Sequence, residues 1–220
     1  MTTRVKICGL TNLADARAAA EAGADMLGFI FHLASRRAAH KDVVQDITGV
    51  LRDAFPSIRL VGVFGDQDLD TIWSIAKHCN LDTVQLHGNE PPETVRQLVA
   101  RGLAVIKAFR VSDTHIITAT TPYTRTGITA LLLDTYVKGQ AGGTGIPFDW
   151  AVAREANALG HVIIAGGLTP DNVGVAIRTA QPWGVDVAGG VERAPGLKDI
   201  ERMRHFIAIV RETTRERELH

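Results

Sequence analysis

Two hydrophobic rhythms alternate along the chain from one end to the other. Short apolar runs occupy residues 4–8, 26–31, 60–64, 83–86, 104–109, 130–133, 162–165 and 185–187. Runs such as Leu27-Gly28-Phe29-Ile30-Phe31 and Val162-Ile163-Ile164-Ala165 lack the apolar–polar alternation of a half-exposed strand. They predict strands covered on both faces, as in a buried parallel sheet. Between them, apolar residues recur at helical spacing over 12–22, 41–54, 68–79, 91–101, 149–159, 170–180 and 197–211. The ends of these segments carry helix punctuation: Thr11 or Asn12, Asp68 and Asp149 as caps, and Pro170 at a first helical position. Gly23, Gly102 and Gly160 stand just past a last turn. Residues 112–123, rich in Thr and Ile, fit no regular helical pattern.

Eight strands in strict alternation with helices, over 220 residues, predict a single α/β domain of the (β/α)8 TIM-barrel type. An open doubly wound sheet shares the alternation. Its dinucleotide-binding form, however, needs a G-x-G-x-x-G turn after the first strand, where this chain has Cys8-Gly9-Leu10-Thr11-Asn12. No composition break divides the sequence. The barrel is therefore expected to fill residues 1–211, followed by a charged tail at 212–220.

Charge and cysteine content remove several classes of function. Lys plus Arg and Asp plus Glu each number 24, so no net charge favours nucleic acid or an anionic membrane as partner. Two cysteines, Cys8 and Cys79, are too few for a disulfide framework or a cysteine-rich zinc site. Cys79, near a helix end, reads as a buried structural thiol. With no signal-peptide pattern and no apolar run of membrane-spanning length, a cytoplasmic protein is expected. No H-E-x-x-H or acidic cluster points to a metal, and neither metal nor cofactor is expected.

In a barrel the carboxyl ends of all strands share one face, so residues distant in sequence converge there. Cys8 ends the first run, where the chain turns into a helix. Reading on, the strand ends supply Arg36 and Arg37 in the loop 31–37, then His87, Phe109-Arg110, Asp134, Gly166-Gly167 and Gly189-Gly190. Each glycine pair alone reads equally as a tight turn. Two pairs, after strands seven and eight, leave backbone N–H groups open to an anion where barrels hold phosphate, and a small phosphorylated substrate is expected. As a base or nucleophile Cys8 would need its pKa lowered from about 8.5. As a general acid Asp134 would need its pKa raised from about 3.9, through water exclusion by the loop 137–145. A packed thiol and a turn-forming aspartate are the plain alternatives; a shared barrel face favours the catalytic pair. Arg36 or Arg37 offers a fork for a carboxylate or phosphate, or is a solvated loop residue. His87 is a site residue or a structural hydrogen-bonding one.

Lys6-Ile-Cys-Gly9, Gly28-Phe-Ile-Phe31, Gly62-Val-Phe64, Gln85-Leu-His-Gly88, Leu133-Asp134, Gly142-Gly-Thr-Gly145, Ala165-Gly-Gly-Leu168, Gly184-Val-Asp-Val187 and Gly190-Val-Glu192 occur in order from about residue 4 to residue 210. This ordered set resembles the phosphoribosylanthranilate isomerase family of tryptophan biosynthesis. The resemblance implies an Amadori rearrangement of N-(5-phosphoribosyl)anthranilate to 1-(2-carboxyphenylamino)-1-deoxyribulose 5-phosphate, without metal or cofactor. It assigns the base to Cys8, the acid to Asp134 and the anthranilate carboxylate contact to Arg37, in a monomer or homodimer. Two departures stand out. Loop two reads Ser35-Arg36-Arg37 where the family usually has Ser-Pro-Arg, so either arginine is a candidate for the carboxylate. Ala188-Gly189 replaces the usual Ser-Ser before Gly-Val-Glu, removing two hydroxyls near the phosphate. A related phosphosugar isomerase of altered substrate range and a non-catalytic phospholigand-binding barrel are the alternatives.

Overall fold

The computed structural model describes residues 2–110, 116–134 and 150–218. Eight parallel strands close into a barrel in sequence order: β1 (Arg4–Cys8), β2 (Met26–Ile30), β3 (Arg59–Phe64), β4 (Thr83–Leu86), β5 (Ala104–Arg110), β6 (Ala130–Asp134), β7 (Val162–Ala165) and β8 (Gly184–Val187). Closure is made by β8 pairing back onto β1, with Val5 opposite Val185. The helices are α1 (Leu13–Glu21), α2 (Lys41–Ala54), α3 (Leu69–His78), α4 (Pro92–Ala100), α5 (Ile116–Thr120), α6 (Trp150–Ala156), α7 (Pro170–Ala180) and α8 (Ile200–Glu218).

The double burial inferred from the unbroken apolar runs has a simple geometry. Val5 and Ile7, Leu27 and Phe29, and Val84 and Leu86 face outward and pack in one large cluster with helix residues such as Leu51, Ile72 and Phe206. Alternate positions, including Met26, Val61, Ile106, Ala108, Leu132 and Ile163, fill the barrel interior. Successive side chains on a strand point to opposite faces, so both sets must be apolar. Burying each aliphatic side chain contributes roughly 1.5–3 kcal/mol.

The structure settles one open choice and departs from the expected pattern in three places. Asn12, and not Thr11, caps α1: its Oδ1 accepts from the Asp15 N–H at 2.8 Å, while the Thr11 hydroxyl donates to the Gly196 carbonyl at 2.7 Å. Residues 116–120 form a short helix, followed by a tight turn at Thr121–Tyr123. There the Thr120 and Thr121 hydroxyls both donate to the Ile117 carbonyl, a local bond that composition alone does not reveal. The last helix was expected over 197–211. Leu197–Lys198 (β10) instead pairs antiparallel with Glu192–Ala194 (β9), and α8 runs on to Glu218. Its end is held in place because Thr213 and Thr214 are buried and Arg211 donates to the carbonyls of Thr3 and Gly23 and to Asp25. The Asp149 cap and the glycine-rich 142–145 lie outside the described residues.

Candidate active site

On β1, Val5 and Ile7 face the helices, so Lys6 and Cys8 face the barrel interior. Lys6 Nζ, fully buried, donates to Asp186 Oδ1 of β8 at 2.9 Å. Gly28 of β2 stands opposite Cys8 in register. A Cβ at Gly28 would lie 2.8 Å from Cys8 Sγ and 3.1 Å from Lys6 Nζ, so only glycine leaves room for the thiol and ammonium side by side. Burial pushes the Cys8 thiol up; the Lys6 charge pulls back against this, and Asp186 adds to the rise. The lowered pKa asked of Cys8 is therefore not what the protein provides: desolvation of the thiolate outweighs the neighbouring cation. Lys6 is itself held above the ordinary lysine range. Burial works against its charge, but Asp186 and Cys8 together outweigh that penalty.

Asp134, at the end of β6, shares the interior parity of Ala130 and Leu132. Its Oδ2 lies 3.2 Å from His87 Nε2. His87 Nδ1 is 3.1 Å from the Gln85 amide nitrogen. With that amide donating to Nδ1, the ring proton sits on Nε2 and points at Asp134. His87 thus bridges Gln85 and Asp134 across the strand ends and restrains the rotation of the carboxyl group.

Arg37 reaches from loop two across Gly9, whose Cβ position is 2.7 Å from Arg37 Cδ, to Glu192 beyond β8. Its Nε and Nη2 meet the Glu192 carboxylate in a two-pronged bond, with Nη2 2.7 Å from Oε2. Lys198 Nζ, buried, donates to the same carboxylate at 3.0 Å and to the backbone carbonyl of Cys8 at 2.6 Å. Glu192 is held below the usual carboxylate range: burial acts against ionisation, but Arg37 and Lys198 prevail. Arg36, in contrast, is exposed.

The two glycine-paired loops lie against each other. Gly166 and Gly167 both adopt positive φ, 84° and 65°, and a Cβ on Gly167 would point into open space. A Cβ on Gly190 would fall 1.8 Å from the Leu168 carbonyl oxygen, so loops seven and eight touch backbone to backbone. Asn172, in the first turn of α7, braces loop seven by accepting from the Thr169 N–H at 2.8 Å and donating to the Gly167 carbonyl at 3.0 Å. The pair Gly189-Gly190 begins a short 3-10 turn, with Arg37 Nη2 3.1 Å from the Gly189 Cβ position.

Over β2–β5 the same face opens into a cavity of about 580 Å³, walled by Ile30, Val63, Phe64 and Ala108 and edged by His87 and Arg110. Three of its lining residues share buried Glu90, which accepts from the Asp66 and Gly88 N–H groups and lies 3.2 Å from Lys107 Nζ. Among the described residues no group of three His, Cys, Asp or Glu side chains is placed to hold a metal ion. Cys79 lies away from this face, its thiol donating to the Lys41 carbonyl at 3.3 Å and pushed up to about 11 by burial, as befits a structural cysteine. Reading the residues one by one missed Lys6, Asp186, Glu90, Lys107, Glu192 and Lys198. For the two strand lysines a signal existed: a charge inside a run otherwise buried on both faces needs a buried partner.

Known proteins share this sequence pattern and fold. The family model of N-(5'phosphoribosyl)anthranilate (PRA) isomerase matches residues 5–209. The N-(5'-phosphoribosyl)anthranilate isomerase of Geobacter sulfurreducens is 48% identical over 204 residues, 93% of this chain and 96% of that protein. The phosphoribosyl anthranilate isomerase structure from Thermotoga maritima superposes with a TM-score of 0.88 at 37% identity, covering 96% of this chain and all of that one. A structure of the isomerase in complex with reduced 1-(o-carboxyphenylamino)-1-deoxyribulose 5-phosphate superposes with a TM-score of 0.85 at 35% identity and the same coverage. With its closed eight-stranded barrel and a family match over nearly its whole length, the chain belongs to the N-(5'-phosphoribosyl)anthranilate isomerase family.

Proposed function

We propose that this chain isomerises N-(5'-phosphoribosyl)anthranilate with Asp134 as general acid and Cys8 as general base. The observation that carries the reading is the shared barrel mouth. Cys8 beside Lys6 and Asp134 beside His87 end their strands at it, glycine-paired loops stand on one side and a cavity opens on the other. Asp134 gives its proton to the furanose ring oxygen as the C1–O bond breaks, and the anilino nitrogen's electron pair forms the C1 imine. Cys8 thiolate then removes the C2 proton, returning electrons to the imine nitrogen, and the resulting enolamine tautomerises to the ketone. A thiol held up by burial is scarce as thiolate but a strong base once ionised, and Lys6 makes that ionisation less costly.

The substrate's phosphate rests against Gly166, Gly167, Gly189 and Gly190. Loop two contributes Arg37, pre-oriented by Glu192, as a cation for the substrate's anionic groups, and exposed Arg36 at the rim. Steady-state turnover of N-(5'-phosphoribosyl)anthranilate tests the assignment. Cys8→Ala and Asp134→Asn should each lower kcat by roughly 10²–10⁴-fold with the fold retained. Undiminished turnover in either variant refutes it, and failure to bind the phosphosugar would refute the substrate class.

Among the described residues no helix is long and apolar enough to cross a membrane. We place the enzyme in the cytoplasm as a monomer or homodimer; cell fractionation and sedimentation velocity test both parts, and a membrane fraction or a larger assembly would contradict them.

A further inference from the structure

We propose that Arg110 is a second cation for the substrate's ring carboxylate and a determinant of specificity for a carboxylated aryl group. This rests on the reading of the site given above. A substrate with phosphate at one end and an aryl carboxylate at the other must span the reacting centre. With phosphate on loops seven and eight, its aromatic end falls in the cavity over β2–β5.

That cavity suits a ring. Ile30, Val63 and Ala108 give it apolar walls, and about 580 Å³ is ample for an anthranilate moiety. The cations near it differ in what already occupies them. Lys107 Nζ donates to the carbonyls of Leu86, Gly88 and Ala108 and pairs with Glu90. Arg37 is bound two-pronged by Glu192 on the far side, by loop eight. Arg110 is exposed, edges the cavity and meets no acidic side chain among the described residues.

Strand geometry aims Arg110 inward. Ile106 and Ala108 lie in the barrel interior, so Arg110, two residues on, shares their face. Its register partner on β6 is Asp134. A guanidinium in that position can take a carboxylate with two parallel N–H bonds while the anilino nitrogen stays near the catalytic acid. The anthranilate carboxylate is thereby met by Arg110 on the β5 side of the mouth, across from Arg37 beside loop eight.

Two inert product analogues provide the test: reduced 1-(o-carboxyphenylamino)-1-deoxyribulose 5-phosphate and its phenylamino counterpart without the carboxylate. Calorimetric affinities are measured for wild type, Arg110→Gln and Arg110→Lys. Arg110→Gln should weaken the carboxylated ligand roughly 10- to 100-fold, the range of a hydrogen-bonded ionic contact, while the carboxylate-free ligand shifts less than about 3-fold. Arg110→Lys should fall between, since a lysine keeps the charge but not the fork. Equal weakening of both ligands, or of neither, overturns the role of Arg110. Failure of the underlying reading looks different: the wild-type protein itself would bind neither analogue.

Discussion

Replacing Lys6 by methionine removes a buried positive charge packed against the Cys8 thiol. Sγ and Nζ lie within 2.8 and 3.1 Å of a single point, the Cβ position of Gly28, so they are no more than about 6 Å apart. At an effective dielectric constant near 20, unit charges about 4–6 Å apart interact by roughly 3–4 kcal/mol, or about 2–3 pKa units. Lys6→Met should therefore raise a thiol that burial already holds high by roughly 2 units, and Asp186, left without its partner, pushes in the same direction. Asp186→Asn should do the reverse: it keeps the Lys6 charge, removes a negative one and lowers the Cys8 pKa. The assay is a pH titration of the thiolate ultraviolet absorbance, taken as the difference from Cys8→Ser to remove the Cys79 background. At fixed neutral pH, kcat/KM of Lys6→Met should fall about 100-fold, following the thiolate fraction. Breaking a buried ion pair costs about 3–5 kcal/mol of stability, so the double variant Lys6→Met/Asp186→Asn, which leaves no buried charge unpaired there, serves as the control if Lys6→Met unfolds. A Cys8 titration that is unmoved by Lys6→Met, or that moves the same way in Lys6→Met and Asp186→Asn, would refute the argument.

Gly28→Ala should displace the thiol and ammonium, lowering kcat at least 10-fold for an overpacking cost of about 1–3 kcal/mol, read from turnover and urea denaturation. A variant with wild-type kcat would show that the crowding is relieved elsewhere. Gly190→Ala meets a carbonyl oxygen and not a flexible side chain, so loops seven and eight must part; KM should rise more than kcat falls, and an unchanged KM would remove these loops from phosphate binding. Glu192, with its folded pKa depressed, contributes stability that is present above its ordinary value of 4.5 and lost as pH falls through the lower folded value. The gap in Tm between wild type and Glu192→Gln should accordingly narrow as pH drops below that value; a constant gap in thermal scans would contradict the sign. Deleting residues 212–220 removes buried Thr213 and Thr214 from α8 and should lower Tm by several degrees in calorimetry, whereas a dispensable solvated tail would leave it unchanged.

The sequence by itself determined the strand count, the barrel and which residues end strands on one common face. Apolar runs without alternation permit few arrangements other than strands covered on both sides, and glycine, proline and cap residues act through local backbone geometry that travels with the residue. That Cys8, Asp134 and the two glycine pairs stand at strand ends was legible because strand ends are legible. What only the tertiary structure decided were pairings between residues far apart in the chain. Lys6 with Asp186, Arg37 with Glu192, and His87 with Asp134 join different strands or loops, and nothing in the local pattern around one member specifies the other. That Arg37 and not Arg36 is pinned beside loop eight follows from Glu192, 155 residues away. The direction of the Cys8 shift belongs to the same category. A thiol beside a lysine in sequence suggests activation, but whether charge or desolvation prevails depends on how deeply closure of the barrel buries them both.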